Sequence, residues 1–363
     1  MPKAPHIHAI DGLRGVAALG IVLYHMRATL AYSPELKWAA GGFEKYYLLL
    51  DLFFIVTGFS IASGYAETFE RRFTAREYGR FLWGRFARLY PLYLCVLLVL
   101  AAQETIYLFT DAAGLGLAPY PPWGRSCATP ETFVTSLFML QSWGFHDKLV
   151  WNIPAWYVSA LVVAYLAFPG LARVTSLLSP RLRAVILVGL ASAAAVALHA
   201  ASAAGAFPRP MDLSPVRAIV EFSVGYGLAR LEPGPAWRRH LQLPLLLLAG
   251  VGLHAPWPDC LTLALLGLGF WTLLEDRGLV AAPLRTQPLV WLGGISYAVF
   301  LVHHPMIGWF NGLHSTSLSV WLPLLWTKYL TANIVLRFVV IVLVAWLATR
   351  ALAEPARRWL QPR

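Results

Sequence analysis

The chain has 363 residues, of which 58% are hydrophobic and only 13% charged, with 15 Trp and 15 Tyr. A soluble domain is about a quarter charged, so this composition excludes disorder and argues against a soluble enzyme. It points to a polytopic membrane protein, whose lipid-facing surface is apolar as well as its interior. Three Cys exclude a disulfide framework and a Cys-rich zinc site, and the net charge of +11 fits basic cytoplasmic loops rather than nucleic-acid binding.

Apolar runs of about 20 residues mark membrane spans. In chain order they predict ten: 11–31, 46–65, 84–103, 151–170, 184–205, 215–230, 241–254, 259–275, 289–310 and 330–350. The stretch 131–145 is apolar but too short to span, and reads as a re-entrant or interfacial piece of a long loop over 104–150. The runs are continuous rather than alternating, which argues against a barrel. With the N-terminus inside, 20 of the 29 Lys and Arg fall on the cytoplasmic side and 9 on the other, which predicts both termini inside and an even number of spans. The first run is long and carries Asp11 and Arg14 at its start, unlike the apolar core of a cleavable signal. No repeat of 20–50 residues is visible. The expectation is an all-α membrane protein: one transmembrane domain over 1–363, with about ten helices in one bundle.

Polar residues inside spans cost a few kcal/mol each and face the bundle interior by default. Arg14 and His25 are eleven residues apart, within about 20° of three full helical turns, so they share one face of the first helix roughly 16 Å apart. Depth alignment then brings His25, Asp51, Tyr157, Ser159, Arg217, Glu221, His303, His304 and Arg337 to one layer in the outer half of the membrane. Such a layer reads as a polar chamber, or as a hydrogen-bonding layer that glues the bundle. Gly12, Gly15 and Gly20 admit a close neighbour on helix 1, and Gly58, Gly225 and Gly227 are expected to serve packing.

Six segments in order carry a family resemblance. They are Asp11-Gly12-Leu13-Arg14-Gly15 with Tyr24-His25, then 51–59 (DLFFIVTGF), 85–93 (RFARLYPLY), and Trp156, Ser159, Tyr165 and Pro169. The last two are 294–303 (GISYAVFLVH) and Glu354-Pro355. Together they resemble the acyltransferase-3 family of integral-membrane acyltransferases over nearly the whole chain. One departure is plain: Leu161 and Val162 stand where the family pattern has two acidic residues, which leaves Glu221 or Asp51 to take over any carboxylate role.

The resemblance implies transfer of an acyl group, acetyl foremost, from cytoplasmic acyl-coenzyme A to a hydroxyl of a glycan or lipid-linked glycan, in the inner (cytoplasmic) membrane. Acyl-coenzyme A is then a co-substrate; no metal and no nucleic acid are expected, and membrane lipids are the remaining partner. Arg85 and Arg88 share one helix face, and guanidinium forks suit coenzyme A phosphates, with lipid headgroups as the competing partner. From the inner end of helix 1 to His25 is about 14 residues, or roughly 21 Å, a plausible reach for a pantetheine arm passing Arg14. Acyl transfer to an alcohol needs a base and an oxyanion donor. His25 is the expected base, with Asp51 orienting its ring. Tyr157, Ser159, Glu221, Tyr297 and His303 are the acceptor or oxyanion candidates. Asp11 is expected to pair with Arg14 at i,i+3. Cys127 and Cys260 are expected outside the cytoplasm, where a disulfide is permitted, and Cys95 is expected as a buried thiol. A transporter and a non-catalytic polysaccharide-assembly component are the alternatives.

Overall fold

The computed structural model describes residues 6–31, 37–112, 128–146, 148–203, 213–231, 234–314 and 330–360. Among these residues there is no strand. Ten main helices follow the ten apolar runs: α1 His8–Ala31, α2 Leu48–Arg71, α3 Ala75–Ala112, α4 Trp156–Thr175, α5 from Pro180 to Ala203, α6 Ser214–Arg230, α7 Gln242–His254, α8 Asp259–Leu273, α9 Gln287–His314 and α10 Leu330–Ala348. Seven of them are long and apolar enough to cross a membrane. The other three, α6, α7 and α8, have 17, 13 and 15 residues, short of the roughly 20 that a bilayer core asks for. The protein is a helical membrane protein.

Helix ends follow local chemistry. The expected span 84–103 lengthens at both ends into α3, and Thr74 caps its start: the Thr74 hydroxyl accepts from the Glu77 amide at 3.2 Å and donates to the Glu77 carboxylate at 2.8 Å. Within the expected loop 104–150, residues 104–112 continue α3, and residues 113–127 and 147 lie outside the described residues. The apolar stretch near 131–145 forms a short helix, Pro130–Leu137, opened by a capping box between Thr129 and Thr132. It is followed by an irregular turn in which Met139 has a φ of 56°. In α5 a π-helical turn over Ile186–Leu190 joins two α-helical pieces. Cys95 and Cys260 are free thiols of intermediate exposure; Cys127 lies outside the described residues.

The chain divides into two compact units. The first comprises Met1–Tyr24, Gly42–Trp83 and Ala160–Ser296; the second comprises His25–Gly41, Gly84–Ser159 and Tyr297–Arg363.

In the first unit α2 and α6 cross so closely that a side chain on Gly58 would collide with the Phe222 carbonyl, and one on Gly225 with the Ile55 carbonyl. Glycine here lets two backbones touch. An aromatic core of Phe54, Phe69, Phe168, Phe222, Tyr226 and Phe270 fills the space around that crossing. At the C-terminal end of α2, Glu70 gathers Arg183 at 2.9 Å, Arg230, and the Tyr226 hydroxyl at 2.8 Å. The buried Gln242 amide is fully used. It donates to the carbonyls of Thr272 and Arg277 and accepts from the amides of Val280 and Ala281.

In the second unit the segment between the short helix and α4 is stapled to α3 and α9 by side chains bonding to main chain. Tyr90 and Tyr93 donate to the carbonyls of Leu137 and Ser136 at 3.1 and 2.6 Å. Asn152 donates to the Leu301 carbonyl at 2.9 Å, and Tyr297 to that of Leu89 at 2.8 Å.

Candidate functional site

Among the described residues, each unit holds a buried cluster that contains histidine. In the second unit His25, near the C-terminal end of α1, meets the consecutive His303 and His304 of α9. Ring centroids are 5.1 Å apart for His25 and His303, and 4.9 Å for His25 and His304. His303 is fully buried and its Nδ1 donates to the Val299 carbonyl at 3.1 Å. That bond selects the tautomer whose Nε2 carries a lone pair, and this Nε2 has no hydrogen-bond partner among the described residues. A buried ring nitrogen with an open lone pair can accept a proton from a substrate. Depth alignment had placed all three histidines in one layer; His304, outside the residues selected from sequence, is as close to His25 as His303 is.

In the first unit Asp51 on α2 is fully buried and its two carboxylate oxygens lie 2.5 and 2.6 Å from one Arg217 nitrogen on α6. Arg217 Nε lies 3.6 Å from Glu221, one turn further along α6, and His199 of α5 lies 3.4 Å from the same carboxylate oxygen. Asp51, expected as the orienter of His25, is thus the counter-ion of Arg217. Its partner depended on how α2 and α6 pack, which the sequence does not show. Asp51, His199 and Glu221 have the donor set of a metal site. Arg217 supplies the positive charge there, and a divalent ion beside a guanidinium is disfavoured by like-charge repulsion. A second donor set, His6, His8 and Asp11, is largely exposed.

The remaining expected residues divide. Arg14 lies 3.8 Å from Asp11 at i,i+3, as expected. Tyr157, buried, packs edge-on against Phe300 at 5.3 Å. Ser159 is committed to structure: its hydroxyl donates to the Met139 carbonyl at 2.6 Å and accepts from Ser142 Oγ at 2.8 Å. The Tyr297 hydroxyl is held by Leu89. On α3, Arg85 is half-buried and Arg88 exposed. Leu161 is buried where the family pattern has an acid. On α10, Arg337 is buried with the amide oxygens of Asn333 and Asn311 at 2.7 Å each.

Residues 7–350 match the model of an acyltransferase domain, that of the acyltransferase-3 family. The chain is 26% identical to the acyltransferase MdmB of Streptomyces mycarofaciens, over 84% of this chain and 80% of that one. It is 22% identical to the peptidoglycan O-acetyltransferase OatA of Listeria monocytogenes, over 97% of this chain and 56% of that one. A 94-residue stretch is 42% identical to protein 2 in the picA locus of Rhizobium radiobacter, covering 26% of this chain and 43% of that one. The chain thus spans less than two thirds of the latter two relatives. No solved structure matches it.

Proposed function

The chain belongs to the acyltransferase-3 family of membrane O-acyltransferases, and from this premise we propose that it moves an acyl group, acetyl foremost, from cytoplasmic acyl-coenzyme A to a hydroxyl of a glycan or lipid-linked glycan. The observation that carries this reading is the cluster of His25, His303 and His304. A neutral imidazole is a general base suited to neutral pH. His25 accepts the proton of the acceptor hydroxyl as its oxygen bonds to the thioester carbonyl carbon. The carbon–sulfur bond then breaks, and the same proton goes to the departing coenzyme A sulfur. His303, with its tautomer set by Val299, positions the His25 ring. Tyr157 is the candidate oxyanion donor, and Tyr297 an acceptor-side candidate.

Arg85 and Arg88 bind the coenzyme A phosphates, and Arg14 lies along the pantetheine path. Asp51 and Glu221 act indirectly, by holding Arg217 in place. Both termini are cytoplasmic in the inner membrane, a reading supported by the 20 to 9 split of basic residues. The test is release of free coenzyme A from acetyl-coenzyme A by purified protein given a panel of glycans. Glycan-dependent release that disappears in His25→Ala is expected. A folded wild-type protein that binds glycans and releases no thiol would overturn the reading in favour of transport or assembly.

A further inference from the structure

The chemistry above leaves Arg337 of α10 unused. Its side chain is buried within an apolar span, only 3% exposed. Nε donates to Asn333 Oδ1, one turn earlier on α10, and Nη1 donates to Asn311 Oδ1 near the C-terminal end of α9, each at 2.7 Å. The guanidinium carbon lies 5.2 Å from the centre of the Phe310 ring. Its partners among the described residues are therefore all neutral.

Arg183 and Arg238 are buried too, and each has an acid: Glu70 at 2.9 Å and Glu275 at 2.8 Å. The sequence explains the difference. From Arg277 to Ala353 it has no Asp or Glu, so neither α9, nor α10, nor the stretch that joins them has a carboxylate to offer. A buried charge is costly unless an opposite charge meets it. A cation held inside a span marks the path of a substrate or ion by default.

The surrounding donors fit an anion. A guanidinium can only donate, so each asparagine turns its amide oxygen toward it. That leaves the Asn311 Nδ2 donors beside the cation. Neither Asn311 Nδ2 nor Arg337 Nη2 makes a hydrogen bond to the described residues. Asn311 is exposed, so this corner borders the surface of the unit. Forked N–H donors on a fixed positive charge suit an oxyanion. One guanidinium balances one charge, which favours a carboxylate or a phosphodiester over a diphosphate. Asn311 follows His304 by seven residues on α9, close to two turns and about 10 Å along the axis. An anion at Arg337 and a hydroxyl at the histidines can thus belong to one glycan.

We infer that Arg337 and Asn311 form a subsite for a singly charged oxyanion on the acceptor, and that the acceptor is an acidic glycan. The inference rests on the reading of the chain as an acyltransferase to glycan hydroxyls, and names the charge class of that acceptor.

Binding can be measured without turnover. Saturation-transfer NMR on the full chain in phosphatidylcholine nanodiscs would compare methyl β-glucuronide with methyl β-glucoside, its neutral counterpart, and would use dimethyl phosphate as a bare phosphodiester. At least one anionic probe should bind wild type, with the glucoside about tenfold weaker or more. Glucuronide binding identifies an acidic sugar, and binding of dimethyl phosphate alone a phosphodiester-linked glycan. Arg337→Gln should weaken anion binding about tenfold or more, the range for a lost charge-assisted hydrogen bond, and Arg337→Lys, which keeps the charge, should weaken it less. Asn311→Ala, at an exposed position, should weaken it about two- to tenfold with an unchanged unfolding temperature. That variant and the wild-type comparison of the two glycosides keep the test decisive if Arg337→Gln fails to fold. The KM for acetyl-coenzyme A should not move. Wild type that binds no anion, or binds both glycosides alike, or anion binding unchanged in the variants, would make Arg337 a structural link between α9 and α10 and overturn the subsite. Anion binding abolished when the nanodiscs contain phosphatidylglycerol would assign the site to a lipid headgroup and overturn it. A raised donor KM with unchanged anion binding would assign it to coenzyme A and overturn it equally. Anion binding that is sensitive to Arg337 in a protein without acyl transfer would leave the subsite standing and remove the enzymatic reading instead.

Discussion

His25, His303 and His304 show how a rare residue type acquires meaning in a membrane. Each polar group in a span costs free energy, so three imidazoles within about 5–6 Å of one another mark a candidate site. His25→Ala should abolish coenzyme A release, while His303→Ala should lower it and shift its pH profile, because the positioning ring is gone. Activity near wild type in His25→Ala would remove that residue from the reaction. Arg217 makes a different prediction. Its removal leaves the fully buried Asp51 and Glu221 without their cation, and breaking a buried ion pair costs about 3–5 kcal/mol. Arg217→Ala should therefore lower the unfolding temperature sharply in detergent, and adding Asp51→Asn should recover part of the loss. At Arg85 and Arg88, charge-assisted contacts to phosphate are worth about 1.5–3 kcal/mol. Alanine at either should raise the KM for the acyl donor tenfold or more with kcat little changed; an unmoved KM in both would identify them as lipid anchors.

Among the helices, the crossing of α2 and α6 is the most demanding contact. Gly58 and Gly225 each face a carbonyl of the opposite helix, whereas Gly64, also on α2, has open space where a side chain would go. Gly58→Ala should destabilise by more than about 2 kcal/mol, since overpacking forces the backbones apart. Gly64→Ala should be neutral or stabilising by up to about 1 kcal/mol, the helix-propensity gain of alanine over glycine. Thermal unfolding of the two variants side by side measures this contrast, and equal behaviour would mean that the crossing is looser than described. Separating these helices would also pull Asp51 from Arg217, because the same pair carries both residues.

For the whole molecule, the distribution of Lys and Arg predicts sidedness. A reporter active only in the cytoplasm should work when fused after Arg363 and when fused before Met1. One active only outside should work when inserted near 113–127, within the loop expected on the far side. An externally active fusion at Arg363 would reverse the orientation or change the number of crossings. The three short helices α6, α7 and α8 are where that number is decided, because at 13–17 residues they reach roughly 20–26 Å against a hydrocarbon core of about 30 Å. Cysteine labelling at their ends, read from both sides of the membrane, would show which of them cross.

The sequence alone determined the class and the positions of the ten helices, because apolar run length reports directly on a bilayer. It also placed Arg14 beside Asp11 and assigned Gly58 and Gly225 to packing, both of which follow from helical spacing and residue size. Pairing was beyond its reach. Which basic group Asp51 and Glu221 each meet depends on the azimuth of α2 and α6, and hydropathy contains no azimuth. The tertiary structure gave Asp51 to Arg217, brought His304 against His25, and spent the Ser159 hydroxyl on the turn at Met139. It alone brought Tyr93, Gln141 and Asn152 together, since these residues lie 11–59 positions apart in sequence, and they converge only once the segment between α3 and α4 folds back between hydrogen bonds to both α3 and α9.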